Sequence, residues 1–147
     1  MRRPEGFYLL ALIIAALDLV SKEILFRILP PAGYTLLPGV LNLVKVHNPG
    51  VAFGLFREWG GILWSFIGLL AAGAIFWWGR GEKDRGRRVA LELVAGGALG
   101  NALDRLWHGA VFDFVDLHWG VHHWPAFNLA DTAITLGIGL YLWRLRA

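Results

Sequence analysis

Long apolar runs broken by single charges set the pattern of this chain. A hydrocarbon core needs about 20 mostly apolar residues per helix, and four stretches meet that length: 7–26, 60–78, 89–107 and 127–143. The first opens FYLLALIIAALDLV, with only Asp18 inside its apolar run, and the second, GGILWSFIGLLAAGAIFWW, has no charge. The third, VALELVAGGALGNALDRLW, carries Glu92, Asn101, Asp104 and Arg105. The fourth, FNLADTAITLGIGLYLW, holds Asn128 and Asp131 in its first turns. The segment 27–59 is different in kind. Its YTLLPGVLNLVKVHNPGVAFGLF is rich in Val, Leu and Phe with Pro and Gly punctuation, the pattern of short strands and turns. It predicts a small sheet lying against a membrane surface. The whole of 1–147 reads as one integral-membrane domain without internal repeats.

Composition sharpens this picture. The chain is 56% hydrophobic with a mean hydropathy of +0.53, against about 45–50% apolar residues in a soluble domain. A net charge of +3 is compatible with nucleic acid, but the basic residues bracket the apolar runs instead of forming a stripe. No nucleic-acid partner is expected. Arg2 and Arg3 precede span one, Arg144 and Arg146 end span four, and GRGEKDRGRR between spans two and three holds five basic residues. Four spans put these three segments on one side, which the positive-inside rule makes cytoplasmic, with both termini. Trp59 and Trp107 then mark the outer ends, and Trp77, Trp78 and Trp143 the inner ends. Asp18 and the lack of a small-x-small site argue against a cleaved signal peptide at the start.

The polar residues inside the spans converge at one depth. Asn101, Asp104 and Arg105 share a helical face in the last turns of span three, and Asn128 and Asp131 share one in the first turns of span four. Asp18 lies about two-thirds along span one, and Asp113 follows span three closely. All lie near the outer interface, where ionisable residues are costly and mark function. Structural readings stand beside this one. Asp104 and Arg105 could neutralise each other or headgroups. Asn101 could be interhelical glue beside Gly96, Gly97 and Gly100, where helices approach closely. Asp18 with Lys22 at i+4 could be a helix ion pair. Asp131 has no adjacent cation and needs a remote partner or a raised pKa. His118, His122 and His123 form an HxxxHH cluster that Asp116 could join, but no HExxH helix accompanies it, and no metal or other cofactor is expected.

With no cysteine and no Ser-His-Asp spacing, hydrolysis would fall to carboxylates. Two that share a site cannot both ionise easily, so one keeps a proton while the other takes a proton from water. Asp113 and Asp131 suit this because they flank the outer loop between spans three and four, although Asp116 is only three residues from Asp113. From the residues alone three readings stay open: a two-carboxylate protease, a small proton- or ion-coupled transporter, and a non-catalytic assembly factor. A transporter predicts polar groups through the full depth of the spans, whereas span two has no charge and the inner halves of spans one and four are nearly bare.

Five blocks in order resemble the lipoprotein signal peptidase (signal peptidase II) family: LDLVSK at 17–22, HNPGVAFG at 47–54, GGALGNALDR at 96–105, GAVFDF at 109–114 and FNLADTAI at 127–134. They reach from the first span to the last. The resemblance implies four transmembrane helices, with a small extracytoplasmic β-cradle and a short amphipathic helix filling 27–59. It implies a monomeric aspartic endopeptidase of the bacterial inner membrane, whose catalytic pair is Asp113 and Asp131, with Asp116 a satellite. Asp18, Lys22, Asn48, Gly50, Asn101, Asp104, Arg105, Asn128 and Ala130 are then expected to line or brace the site, among membrane lipids. The implied substrates are prolipoproteins, cut just before a cysteine already carrying diacylglycerol. Pro49 stiffens the turn within the Asn-x-Gly block.

Overall fold

Each of the four apolar runs folds as a helix. The computed structural model describes residues 8–50 and 60–146. Within them lie α1 (Leu9–Ile28), β1 (Tyr34–Leu37), β2 (Leu41–Asn48), α2 (Gly60–Gly79), α3 (Arg85–His108), β3 (Val111–Trp119), β4 (His122–His123) and α4 (Leu129–Arg146). The helix limits differ from the apolar runs where capping chemistry sets them. Asp84 caps α3 five residues before its apolar run begins, with its Oδ1 accepting the Arg87 N–H at 2.8 Å. The same carboxylate takes Arg144 Nη2 at 2.5 Å, which ties the start of α3 to the end of α4. At the other end Gly109, at φ +78°, donates its N–H to the Arg105 carbonyl at 2.8 Å and turns the chain into β3.

α3 is the hub and touches each of the other helices. Small residues make this possible. A Cβ on Gly97 would stand 2.5 Å from the Ala130 carbonyl oxygen, so only glycine lets α4 come this close. The helices carry their small and polar residues inward. On α1 the buried residues are Ala11, Ala15, Asp18 and Lys22, one face at helical spacing, while Leu9, Leu12, Leu17 and Ile24 are exposed. On α2, Leu70 is 73% exposed. Among the described residues, α2 alone is long and apolar enough by composition to cross a membrane. The inward charges of α1, α3 and α4 lower their averages.

The four strands form one antiparallel sheet in the order β1-β2-β3-β4. This corrects the expectation that the cradle fills 27–59. Half of it comes from 111–123, which the sequence reading treated as outer loop. The expected short amphipathic helix would have to lie at 51–59, outside the described residues. Leu29, Phe112 and Phe114 form a buried cluster, with Leu25, Leu43 and Val115 packed against it. That cluster seats the sheet on the C-terminal end of α1.

Candidate active site

Strand geometry decides which aspartate faces the helices. Successive side chains on a strand alternate faces, so Asp113 and Asp116, three apart on β3, point to opposite sides. Asp113 is 4% exposed and lies opposite Val46 of β2 in the sheet register. Asn48, two residues on from Val46 and on the same face, hydrogen-bonds the Asp113 carboxylate. The Asn128 Nδ2 donates to Asp113 Oδ1 at 2.8 Å from the opposite side.

Asn128 is also the cap of α4. Its Oδ1 accepts the Asp131 N–H at 2.9 Å, and Asp131 Oδ2 accepts the Asn128 N–H at 3.2 Å. This reciprocal pair is a capping box, with Asp in the place usually held by Glu. Asp131 Oδ1 accepts Nδ2 of Asn101 at 2.9 Å, and Asn101 Oδ1 in turn accepts from Asn128 Nδ2 at 3.1 Å. One asparagine thus sits between the two carboxylates, and a second closes the ring from α3. The partner that Asp131 lacked in sequence is a pair of amides.

Below this ring lies a buried polar brace. Lys22 Nζ reaches Asp18 Oδ2 at 2.6 Å, Asn101 Oδ1 at 3.0 Å and Asp104 Oδ2 at 3.3 Å. Asp18 is fully buried, and its other oxygen accepts the Ala130 N–H at 2.9 Å. Asp104 also accepts the Phe112 N–H at 3.0 Å and meets His108 Nδ1 at 2.8 Å. Lys22, and not the adjacent Arg105, therefore makes the ion pair with Asp104, because neighbours in a helix do not share a face. A Cβ on Gly100 would stand 2.6 Å from Asp18 Oδ2, so the block GGALGN makes room for the brace.

Arg105 points elsewhere. Its charge acts on Asp113, Asp131 and Asp104 together, and its Nε is buried without a hydrogen-bond partner among the described residues. Gly50, at φ +75°, donates its N–H to Asn48 Oδ1 at 2.9 Å. A Cβ there would meet Trp64 at 2.9 Å and Arg105 Nε at 3.1 Å. The Asn48–Gly50 turn thus lies over Arg105.

Two aspartates on one strand are pushed in opposite directions. Burial first, and then the Asp131 charge, lift the Asp113 carboxyl up to about 6, against the pull of Asn48, Lys22 and Asn128. Asp116 goes below the usual carboxylate range, chiefly through its hydrogen bond with His123, with help from Asn42. Paired carboxylates with one proton between them are the chemistry of acid–base hydrolysis.

The family model described as signal peptidase (SPase) II matches residues 10–146. The chain belongs to the signal peptidase II family. It is 42% identical over 145 residues to a lipoprotein signal peptidase of Azoarcus sp. (strain BH72), covering 94% of this chain and 81% of that protein. It is 40% identical over 132 residues to the lipoprotein signal peptidase of Thermodesulfovibrio yellowstonii, covering 90% and 88%. A bacterial membrane enzyme solved by the in meso method at 1.9 Å superposes with a TM-score of 0.84 at 27% identity, covering 99% of this chain and 97% of that one. Four helices and a small antiparallel sheet are thus the fold that this chain shares with that enzyme.

Within this member of the signal peptidase II family, the structure draws Asp18, Lys22, Asn48, Asn101, Asp104, Asp113, Asn128, Ala130 and Asp131 into one connected network. Gly50 and Arg105 lie at its edge. Sequence reasoning missed His108 and the Phe112 backbone as partners of Asp104. The i+4 spacing of Asp104 and His108 was the available signal. A cavity of about 840 Å³ opens beside the brace, lined by Val20, Lys22, Phe26, Asp104, Leu106 and Trp107 among others. Neither Asp113 nor Asp131 lines it.

Proposed function

We propose that this protein is a membrane aspartic endopeptidase that removes the signal peptide from diacylglyceryl-modified bacterial prolipoproteins. The observation that carries this reading is the Asp113–Asn128–Asp131 linkage, two carboxylates held by one asparagine, Asp113 through its side-chain Nδ2 and Asp131 through its backbone N–H. In the proposed reaction Asp113 holds the proton, consistent with a carboxyl raised to about 6 by burial and by Asp131. Asp131 accepts a proton from water as the water oxygen bonds to the scissile carbonyl carbon. Asp113 gives its proton to the carbonyl oxygen, and a neutral tetrahedral diol forms. The Asp131 proton then passes to the leaving nitrogen, the C–N bond breaks, and Asp113 recovers its proton as the new acid forms. The Arg105 charge favours the single negative charge that the pair carries throughout. Cleavage is proposed just before the lipid-modified cysteine.

The four helices are proposed to span the inner membrane of a bacterium. Exposed Leu, Ile, Phe and Trp around a small and polar interior support that placement. Both termini would be cytoplasmic, and the sheet with the aspartate pair would lie at the outer face, the chain acting as a monomer among lipids. No cofactor enters the proposed chemistry.

The test is incubation of purified protein with a synthetic diacylglyceryl-modified precursor, with products identified by mass. Cleavage immediately before the modified cysteine is expected. An intact precursor, with well-folded protein, would return the transporter reading.

A further inference from the structure

The hairpin of β3 and β4 carries a second group of ionisable side chains, on the opposite face of β3 from Asp113. Asp116 and His118 are two apart and share a face, and His118 lies directly across from His123 in the ladder. A two-residue turn with Gly120 at φ +58° fixes that pairing. One ligand atom from each of Asp116, His118 and His123 falls within 4.8 Å of the others. We propose that Asp116, His118 and His123 form a binding site for a divalent transition-metal ion, with zinc the expected occupant by ligand class.

Three observations carry this. The His118 side chain is only 8% exposed, yet its Nδ1 is buried with no hydrogen-bond partner among the described residues. A buried imidazole nitrogen left without a partner is costly, and it stands 3.8 Å from Asp116 Oδ2, inside the cluster. The distances also suit a metal. His123 Nδ1 and Asp116 Oδ1 are 2.7 Å apart. Zinc bonds of about 2.0–2.2 Å in a tetrahedron space the ligand atoms by roughly 3.4 Å. The two separations bracket that spacing, and the three ligand atoms all lie within 4.8 Å of one another. Finally, Asn42 Nδ2 donates to Asp116 Oδ2 at 3.0 Å, the outer hydrogen bond that orients a ligating carboxylate.

Two imidazoles and one carboxylate favour zinc or its neighbours over calcium or magnesium, which prefer all-oxygen sites. Three protein ligands leave a fourth position for water. Metal entry displaces the proton shared by His123 and Asp116. The ion would clamp β3 to β4, with β2 held through Asn42.

The experiment uses full-length protein in detergent without a histidine tag, titrated with zinc chloride by equilibrium dialysis and with cobalt(II) followed by its visible absorption. One zinc per chain and an intense four-coordinate cobalt spectrum are expected. His118→Ala, His123→Ala and Asp116→Asn should each weaken binding at least about ten-fold and abolish that spectrum, while His122→Ala should match wild type. Thermal unfolding without metal checks each fold, and if His118→Ala does not fold, His123→Ala, at an exposed residue, decides. Zinc binding below one per chain, or wild-type affinity in a folded His123→Ala protein, overturns the site.

Discussion

Asp18 in the middle of α1 ends on the backbone of Ala130: its Oδ1 accepts that N–H at 2.9 Å, across 112 positions of sequence. The first N–H groups of a helix have no partner of their own. Asn128 supplies one for Asp131, and Asp18 supplies another from a different helix. Glu92 of α3 repeats the device at the far end, where its Oε2 accepts the Leu10 N–H of α1 at 3.0 Å. Asp18→Ala removes both the cap and the partner of Lys22, and breaking a buried pair costs about 3–5 kcal/mol. A large drop in thermal midpoint is expected, with cleavage lost as the start of α4 shifts. Asp18→Asn keeps an acceptor for Ala130 and should fall between. Equal unfolding temperatures for Asp18→Ala and wild type would mean that other contacts place α4.

The raised Asp113 carboxyl makes a prediction about pH. Its ordinary value is 3.8 and its folded value about 6. The folded state therefore binds this proton more tightly than the unfolded chain. The stability linked to that proton is full below pH 3.8 and is lost as pH rises through about 6. That rise corresponds to at most about 3 kcal/mol. Asp113→Asn removes the buried charge, so the variant should unfold at a higher temperature than wild type at pH 8, with the gap closing toward pH 4. Carboxyl-carbon NMR of labelled protein supplies a direct reading. The Asp113 midpoint should move down in Asp131→Asn, which loses the like charge, and up in Asn48→Ala, which loses a stabilising hydrogen bond.

The helices were legible because each apolar run matches a helix, and the polar residues of α1, α3 and α4 fall at helical spacings. Asn101, Asp104, Asn128 and Asp131 could be placed at one depth from the sequence, but their partners could not. Asn101 reaches both Lys22 and Asp131, 79 and 30 positions away, and no local pattern specifies such pairs. β3 was missed for a related reason. In VFDFVDLHW the faces alternate, but the two Asp residues fall on different faces, so no single polar side stands out. That same parity separates Asp113 from Asp116, a choice the sequence reading could make only by family resemblance. The capping box of Asn128 and Asp131 was in plain view as Asn-x-x-Asp before an apolar run. The sequence reading places the two in the first turns of span four as site residues, and the structure makes them the helix cap as well.

Topology makes a third prediction. α3 and α4 are joined at one end by Asp84 and Arg144 and at the other by the sheet. The basic segment around Asp84 and the hairpin at Gly120 therefore belong to opposite ends of the bundle. A reporter fused at Asp84 should read cytoplasmic, and one at Gly120 should read extracytoplasmic. A cytoplasmic signal at Gly120 would put the aspartate pair on the wrong side for an exported precursor.

The last prediction separates the aspartate pair from its neighbours. Asn is nearly isosteric with Asp but cannot ionise or pass a proton, so it tests chemistry more than packing. Asp113→Asn and Asp131→Asn should each abolish cleavage of a lipidated precursor, a loss of several orders of magnitude. The double variant should lose almost nothing further, because groups that act as one unit are not additive. Precursor binding should survive if, as proposed, lipid and helix contacts supply most of the affinity. Asp116→Asn should keep measurable turnover, because that carboxylate lies on the other face of β3, bonded to Asn42 and His123. Asp104→Asn should lower both turnover and stability, because it weakens the acceptor shared by Lys22, His108 and the Phe112 N–H that precedes Asp113. Single-turnover cleavage in detergent, with thermal unfolding of each variant alongside, separates these outcomes. Near-normal cleavage by a folded Asp131→Asn protein would remove the two-carboxylate mechanism. Additive losses in the double variant would mean that the two aspartates act in separate steps.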